Sequence, residues 1–265
     1  MMLKFLDDAT LVAEVSHLLT VAEEAMESQR REFGKNVIDP FAAMFEMAGF
    51  GLDHAGWVRT ELMRQAQKSL QNHVGQFHQD ILGSVKGWEN MNTGSVVDLV
   101  SHERKVIAEV KNKYNTLSGG KRSDQYSNLE KLVMQRASRY HGYTSYFVTV
   151  IPKSPERFDR PFTPSEKETG ANLPENPLIR EIDGASFYEI VTGEKDALAQ
   201  LFKAIIQVIS GVSGKETDPG DKGALMAYFQ TAFGALAASI RFIAATMEMP
   251  SRSMRFTGTA LPIWR

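Results

Sequence analysis

Two apolar segments near the middle of the chain carry an aspartate, a glutamate and a lysine at a spacing that could bind a cation. The stretch VVDLVSHERKVIAEVKNK holds Asp98 in its first apolar segment and Glu109 and Lys111 in its second. The polar residues HERK separate the two segments. The pattern therefore predicts a hairpin whose strands run over 95–101 and 105–111.

Side-chain alternation assigns Glu109 and Lys111 to one face of the second strand, together with Ile107. The opposite face, which we predict to be the core face, carries Val106, Ala108 and Val110. A turn centred on 103–104 places Asp98 opposite Glu109, and paired residues have Cβ atoms about 4.5–5.5 Å apart. Two carboxylates this close repel each other unless they share a positive charge. The hairpin therefore predicts a site for a divalent cation.

An aspartate on one strand and an acidic-x-Lys sequence on the next resemble the motif of the PD-(D/E)XK nucleases, with Val97 at the position of the motif's proline. The segments EVKNKYNTLSGGKR and FYEIVTGEKDALAQLFKAI are similar to type II restriction endonucleases that cut GGNCC-type sites. This resemblance extends over roughly 70–205. It implies Mg²⁺-dependent hydrolysis of double-stranded DNA at a short palindromic site, leaving 5′-phosphate and 3′-hydroxyl ends.

The resemblance also implies a role for each residue of the motif. Asp98 and Glu109, with the main-chain carbonyl of Val110, would bind Mg²⁺, a hard cation that takes oxygen ligands. Lys111 would orient the attacking water or stabilise charge on the phosphoryl oxygens. A further ligand from an upstream helix would be one of two residues, between which the sequence does not choose: Glu61 and Gln76.

The elements around the hairpin predict an α/β fold. A long amphipathic helix is predicted over 57–83, because apolar residues recur there at helical spacing without an internal proline. The other segments are predicted in chain order as a weak first strand over 87–92, a helix over 122–141, a buried strand over 143–152, a proline-rich surface excursion over 152–184 and a strand over 186–193. This order matches the restriction-endonuclease-like core, a mixed sheet flanked by helices, with additional N- and C-terminal helices.

The domain organisation is predicted to be one nuclease domain over 1–265. We expect an N-terminal helical part at about 1–85, a catalytic core at about 57–210 and a C-terminal helical part at about 220–265. Cutting both strands of a duplex needs two catalytic centres, so we expect a homodimer. The candidate interface is the helix near 224–249, because Met and aromatic residues are enriched where partners pack.

Basic residues are concentrated in one part of a chain whose net charge is −2. Residues 101–142 contain nine Lys or Arg and four Asp or Glu, and residues 241–265 contain four and one. This segregation suits a protein that meets DNA with one face. The predicted DNA contacts lie around the glycine-rich loop after the second strand: Lys113, Asn115, Ser118, Lys121 and Arg122.

Within that loop, Lys121 or Arg122 could read guanine and Asn115 adenine. A phosphate-binding P-loop is excluded, because Asn115 and Arg122 stand where that motif requires Gly and Ser or Thr. The chain also has no H-E-x-x-H, G-x-S-x-G or G-x-G-x-x-G motif. Two alternatives remain open: a repair or junction-resolving nuclease of the same superfamily, and a non-catalytic DNA-binding protein with this fold.

The remaining expectations concern the environment of the protein. The chain has no cysteine and no run of about 18 apolar residues, and its N-terminus does not have the layout of a signal peptide. We therefore expect a soluble cytoplasmic protein. Its expected partners are double-stranded DNA, a second copy of the chain and, as a genetic partner, a cognate DNA methyltransferase.

Overall fold

The computed structural model describes residues 1–35, 37–92, 96–166, 168–213 and 219–234. The α-helices within these ranges are α1 (Asp8–Glu32), α2 (Pro40–Phe50), α3 (His54–Gly83), α4 (Gly119–Met134), α5 (Gly184–Thr192), α6 (Ala197–Ser213) and α7 (Pro219–Phe233), and a short 3-10 helix, Phe33–Lys35, follows α1. The strands are β1 (Glu89–Asn90), β2 (Leu99–Ser101), β3 (Val106–Lys113), β4 (Thr144–Ile151), β5 (Asp159–Pro161) and β6 (Ile179–Asp183). None of the helices in these ranges is long and apolar enough to cross a membrane.

The strands form one mixed sheet in the order β1-β2-β3-β4-β6-β5. β3, β4 and β6 are parallel, whereas β1, β2 and β5 pair with their neighbours in the antiparallel direction. The chain order α3-β1-β2-β3-α4-β4 reproduces the predicted core, and helices cover the sheet. The predicted fold class is therefore confirmed.

The β2–β3 hairpin has the predicted register. Leu99 pairs with Ala108 and Ser101 with Val106, so the turn falls at 102–105. β2 is shorter than predicted, because the ladder ends at Leu99 and leaves Asp98 just outside the strand. The backbone N–H of Asp98 still donates to the carbonyl of Ala108 at 2.9 Å, which keeps Asp98 beside β3.

Both faces of β3 are covered, whereas the sequence pattern indicated one core face. Ala108 and Val110 belong to an apolar cluster with residues of α1, α3, α5 and α6. Ile107 is fully buried on the opposite face, in a second cluster that includes Leu129 and Val133 of α4. Parallel strands are normally buried on both faces in this way. Glu109 therefore extends from the face beneath α4.

The segment 186–193, predicted as a strand, forms α5 instead. Asp183 caps the helix by accepting a 2.9 Å hydrogen bond from the N–H of Ser186, and Gly193 ends it with a left-handed φ of 76°. Phe187 and Val191 are buried one helical turn apart. The caps and the four-residue spacing prevail over the strand propensity of the aromatic and β-branched residues.

Two other predictions need correction. The excursion predicted over 152–184 contains β5 and β6, and β6 contacts β4 through the fully buried Ile179 and Ile182. The helix predicted over 122–141 ends at Met134, and turns follow. The part of the predicted C-terminal helix beyond residue 234 lies outside the described residues.

Candidate active site

Asp98 lies at the start of the hairpin and is anchored to the neighbouring strand. Its Oδ2 accepts a 2.6 Å hydrogen bond from the backbone N–H of Val110. The side chain of Val110 itself is buried on the face of β3 that is opposite to the side chain of Glu109. The bond thus holds the carboxylate of Asp98 beside the residue that follows Glu109, near the carboxyl end of β3.

Glu109 and Lys111 lie on one face of β3 and form an ion pair. Lys111 Nζ is 2.5 Å from Glu109 Oε1, and the two side chains retain 22% and 10% of their exposure, respectively. A buried carboxylate and an ammonium at this distance interact strongly because little water screens them. The structure therefore brings together Asp98, Glu109 and Lys111, the three residues that the motif predicts.

Burial opposes the ionisation of both carboxyl groups. Burial raises the pKa of Asp98, although the hydrogen bond from Val110 and the charge of Lys111 oppose the shift. Burial also raises the pKa of Glu109, and the nearby charge of Asp98 raises it further, against the effect of Lys111. A cation bound between the carboxylates would relieve both the desolvation and the repulsion.

The donor set fits Mg²⁺, which binds proteins through one or two carboxylates and retains several waters. Asp98 and Glu109 supply the carboxylates, and the Val110 carbonyl is the predicted third oxygen. Within the described ranges there is no cluster of three or more His, Cys, Asp or Glu residues that could hold a metal. A site with two carboxylates is consistent with a cation that completes its coordination with water and substrate phosphate.

Gln125 of α4 is a residue of the site that the motif did not indicate. Its side chain hydrogen-bonds to Glu109 and, with Lys111, opposes the rise in the pKa of that carboxyl. Gln125 is only partly buried and lies sixteen positions after Glu109, so no local spacing links the two. The only sequence signal is a polar residue on the face of α4 that also carries the buried Leu129.

The upstream helix α3 supports neither candidate for a further metal ligand. Glu61 pairs with Arg64 at 2.6 Å, and Gly75, fourteen positions later, lies against Asn112 of β3. Glu61 is therefore about 21 Å along the helix from the point where α3 meets β3. Gln76 donates to Asp80 at 3.0 Å. α3 also packs on the sheet face opposite Glu109.

Four of the predicted DNA contacts are exposed at the carboxyl end of β3 or just beyond it. Lys113 ends the strand, Asn115 lies in the following turn, and Lys121 lies in the first turn of α4. Ser118 precedes α4 in an extended conformation, and its side chain makes no capping hydrogen bond. The N-terminus of a helix carries free backbone N–H groups and a partial positive charge that favour phosphate.

Arg122, the fifth predicted contact, is engaged within the protein. Its Nη2 donates a 2.7 Å hydrogen bond to Glu181, and its guanidinium lies 4.9 Å and 5.0 Å from the ring centroids of Phe147 and Phe162. Arg160 pairs with the other oxygen of Glu181 at 2.7 Å. These interactions fix α4 to β6, and the role of Arg122 toward DNA stays a prediction.

A carboxylate pair with an adjacent ammonium, and an exposed basic loop at the carboxyl end of the same strand of a mixed sheet, are typical of nucleases of the restriction-endonuclease class. Comparison with known proteins agrees. Residues 3–213 match the sequence model of the Eco47II restriction endonuclease family. The chain is 47% identical over 238 residues to the type II restriction enzyme Eco47II of Escherichia coli, covering 88% of this chain and 99% of that enzyme.

A second relative is the type II restriction enzyme Sau96I of Staphylococcus aureus. It is 34% identical over 203 residues, which cover 75% of this chain and 76% of that enzyme. The chain belongs to the Eco47II restriction endonuclease family. It is thus a type II site-specific deoxyribonuclease, and the resemblance seen in the sequence is confirmed.

Proposed function

We propose that this enzyme is Mg²⁺-dependent and hydrolyses both strands of duplex DNA at a short palindromic site of GGNCC type, leaving 5′-phosphate ends. The observation that carries the proposal is the convergence of Asp98, Glu109 and Lys111 at the end of β3. Two acidic residues with raised pKa values and a paired lysine are expected where a cation and a phosphate meet.

Each residue of the trio has a distinct role. Asp98 and Glu109 hold Mg²⁺, together with the carbonyl of Val110. When bound, Mg²⁺ would polarise the scissile phosphate and lower the pKa of an attacking water. Lys111 loses part of its attraction to Glu109 once that carboxylate shares its charge with a cation. Its ammonium then orients the water or stabilises charge on the phosphoryl oxygens.

DNA is held by the exposed loop that follows β3. Lys113 and Lys121 neutralise phosphates, Ser118 binds backbone phosphate at the α4 N-terminus, and Asn115 reaches a base edge. Arg122 reaches DNA only by leaving Glu181. That exchange is supported by Arg160, which continues to neutralise the Glu181 carboxylate at 2.7 Å.

The two other functions considered from the sequence receive less support. A repair or junction-resolving nuclease would share the trio, but the matching family and both relatives are type II restriction enzymes. A non-catalytic DNA-binding protein would not need a buried Glu109 beside Asp98 and Lys111, since burying these charges is costly.

The enzyme acts in the cytoplasm as one nuclease domain that forms a homodimer, because a palindromic duplex presents the same chemistry to two symmetry-related centres. A cognate methyltransferase protects the host DNA.

The test is digestion of a plasmid of known sequence with Mg²⁺ or with EDTA, followed by sequencing of the ends. Cleavage at one short palindrome with 5′-phosphate ends, only with Mg²⁺, is the expected result. Cleavage in EDTA, or only at branched DNA, would contradict the proposal.

A further inference from the structure

The fold divides the basic segment of the sequence between two ends of the sheet. Of the nine Lys or Arg over 101–142, the proposed chemistry and DNA contacts use four: Lys111, Lys113, Lys121 and Arg122. The other five lie toward the amino end of β3, in the hairpin turn, the last turn of α4 and the turns before β4: Arg104, Lys105, Lys131, Arg136 and Arg139. This second basic group has no role in the proposed function.

The length of the sheet separates the two basic groups. β3 runs from Val106, beside the hairpin turn, to Lys113, where the DNA-binding loop begins. At about 3.3 Å per residue these two ends are about 23 Å apart. The carbonyl of Lys105 accepts a 2.9 Å hydrogen bond from the N–H of Thr144, which joins the hairpin turn to the start of β4. A straight duplex at the active-site end therefore does not reach these turns.

We define the distal patch as His102, Lys105, Arg136 and Arg139, all of which are exposed. Within the part of the chain that the structure describes, the three cationic side chains of the patch form no ion pair. The basic groups of the patch are therefore free to bind an anion from outside the chain.

The other charged residues of the hairpin turn lie away from the distal patch. Glu103 extends toward Gly87, in the turn that follows α3. Arg104 donates to the carbonyl of Ile190 in α5, on the sheet face opposite α4. The patch thus keeps its positive charge, although an acidic residue is its neighbour in the sequence.

Aromatic rings fix the geometry of the distal patch. The ring of the buried Tyr140 lies 4.6 Å from the guanidinium of Arg139 and stacks with the imidazole of His102 at 6.4 Å. The hydroxyl of Tyr143 lies 3.1 Å from Nδ1 of His102. An arginine held against a ring loses less conformational freedom when it binds phosphate.

We propose that the distal patch binds the phosphate backbone of a second DNA segment, so that the enzyme bridges two segments. This inference rests on the proposed position of the first duplex at the loop after β3. Lysine and arginine neutralise phosphates and release counterions, which supplies affinity without base contacts. A second segment is present at high local concentration whenever the first belongs to a long DNA molecule.

A protein partner fits the distal patch less well than DNA. Over residues 102–105 and 134–143, Met134 is the one large apolar side chain that is exposed. Protein interfaces depend on apolar and aromatic anchors that become buried at their centre. A DNA backbone needs only cations at a suitable spacing, and the patch supplies them.

The test is the bridging of two duplexes. A biotinylated duplex with the cognate site is fixed to beads, saturated with enzyme in EDTA, washed, and offered a labelled duplex without the site. The wild type should retain the labelled duplex at about 50 mM salt and release it as the salt rises. Arg136→Glu/Arg139→Glu should weaken this retention at least ~30-fold, because two phosphate contacts become repulsive.

The matched control is Arg30→Glu/Lys68→Glu, which makes the same change in charge at exposed residues of α1 and α3. It should retain the labelled duplex as the wild type does. A wild type that retains no labelled duplex, or a distal-patch variant that retains it as well as the control, would overturn the inference.

A second variant does not depend on the packing of Arg139 against Tyr140. Arg136→Ala removes a side chain that is exposed and makes no ion pair with the described residues. It should leave urea unfolding unchanged and reduce the slope of log K against log salt for the second duplex by about one unit. An unchanged slope would also overturn the inference.

Binding and cleavage of the first duplex separate this inference from the proposed function. Arg136→Glu/Arg139→Glu should bind the bead duplex and cut a short one-site duplex in Mg²⁺ as the wild type does. Loss of the bead duplex by this variant would overturn the inference, because one DNA site would then extend over both ends of the sheet. A wild type that bridges two duplexes but cuts only one strand would leave the inference standing and remove the proposed function.

Discussion

The backbone N–H of Val110 donates a 2.6 Å hydrogen bond to Oδ2 of Asp98, so the first carboxylate of the trio is tied to the strand that carries the second. The bond orients Asp98 although it lies outside the β2 ladder. The same carboxylate raises the pKa of the Glu109 carboxyl group. Because the site disfavours the ionised forms of its own carboxyl groups, a bound cation would stabilise them.

The first prediction concerns stability. Because the pKa of Glu109 is raised in the folded protein, its ionised form destabilises the fold. The contribution of Glu109 to wild-type stability therefore falls as the pH rises from the unfolded pKa of about 4.3 through the folded pKa. Glu109→Gln should raise the free energy of unfolding above the folded pKa, and the gain should vanish below about pH 4. Urea unfolding of the wild type and the variant at pH 8 and pH 4 measures this gain in stability. A variant less stable than the wild type at pH 8 would contradict the account.

The second prediction separates catalysis from DNA binding. Lys111→Ala should lower the single-turnover cleavage rate by about 10²–10³-fold and leave the salt dependence of binding unchanged. Lys121→Ala should weaken binding and reduce the slope of log K against log salt by about one unit, because one phosphate contact is lost. Equal and mild effects of both changes on rate and on slope would show that Lys111 is an ordinary surface cation.

The hairpin and its register could be predicted because they depend on local rules. Alternation and the polar break fix which residues of β2 and β3 face each other, and the observed pair Leu99–Ala108 follows from them. The trio Asp98, Glu109 and Lys111 follows from the same rules and from the family motif. Packing against distant segments adds further residues to the site, and the trio remains the one that the hairpin predicts.

Other features depend on packing between distant segments. β6 is short and carries Arg180 and Glu181 between its buried isoleucines, so its apolar pattern is too weak to predict a strand. Gln125 reaches Glu109 only because α4 packs over β3. Arg122 was predicted to contact DNA from its position in a basic loop, since the sequence alone does not reveal its partner Glu181.

The third prediction tests Gln125 as a positioning residue. Gln125→Leu removes a hydrogen bond that lowers the pKa of Glu109, so the pH dependence of cleavage at limiting Mg²⁺ should shift to higher pH. High pH and excess Mg²⁺ should restore most of the rate. The control is Asp124→Ala, which changes an exposed neighbour on the same helix. A uniform loss of rate at every pH would assign Gln125 a structural role only.

The fourth prediction concerns the link between α4 and β6. Arg122→Ala should lower the free energy of unfolding by about 1–2 kcal/mol, because it removes the ion pair with Glu181 and the stacking on two phenylalanines. Arg160→Ala removes a pair to the same carboxylate from a side chain that is 64% exposed and should cost less, at most about 1 kcal/mol. Denaturant unfolding of both variants measures the difference. A larger loss for Arg160→Ala would contradict this assignment.

The measurement that tests the central claim most directly is single-turnover cleavage of a cognate duplex by Asp98→Asn and Glu109→Gln in Mg²⁺. Both changes keep the shape of the side chain and remove one negative charge from the cation site. We predict that each variant binds the duplex at least as tightly as the wild type and cleaves it at least ~10³-fold more slowly, the equivalent of about 4 kcal/mol. Asp124→Asn, the matched change on the exposed surface of α4, should cleave at the wild-type rate. Wild-type cleavage by Asp98→Asn or Glu109→Gln would contradict the assignment of the active site.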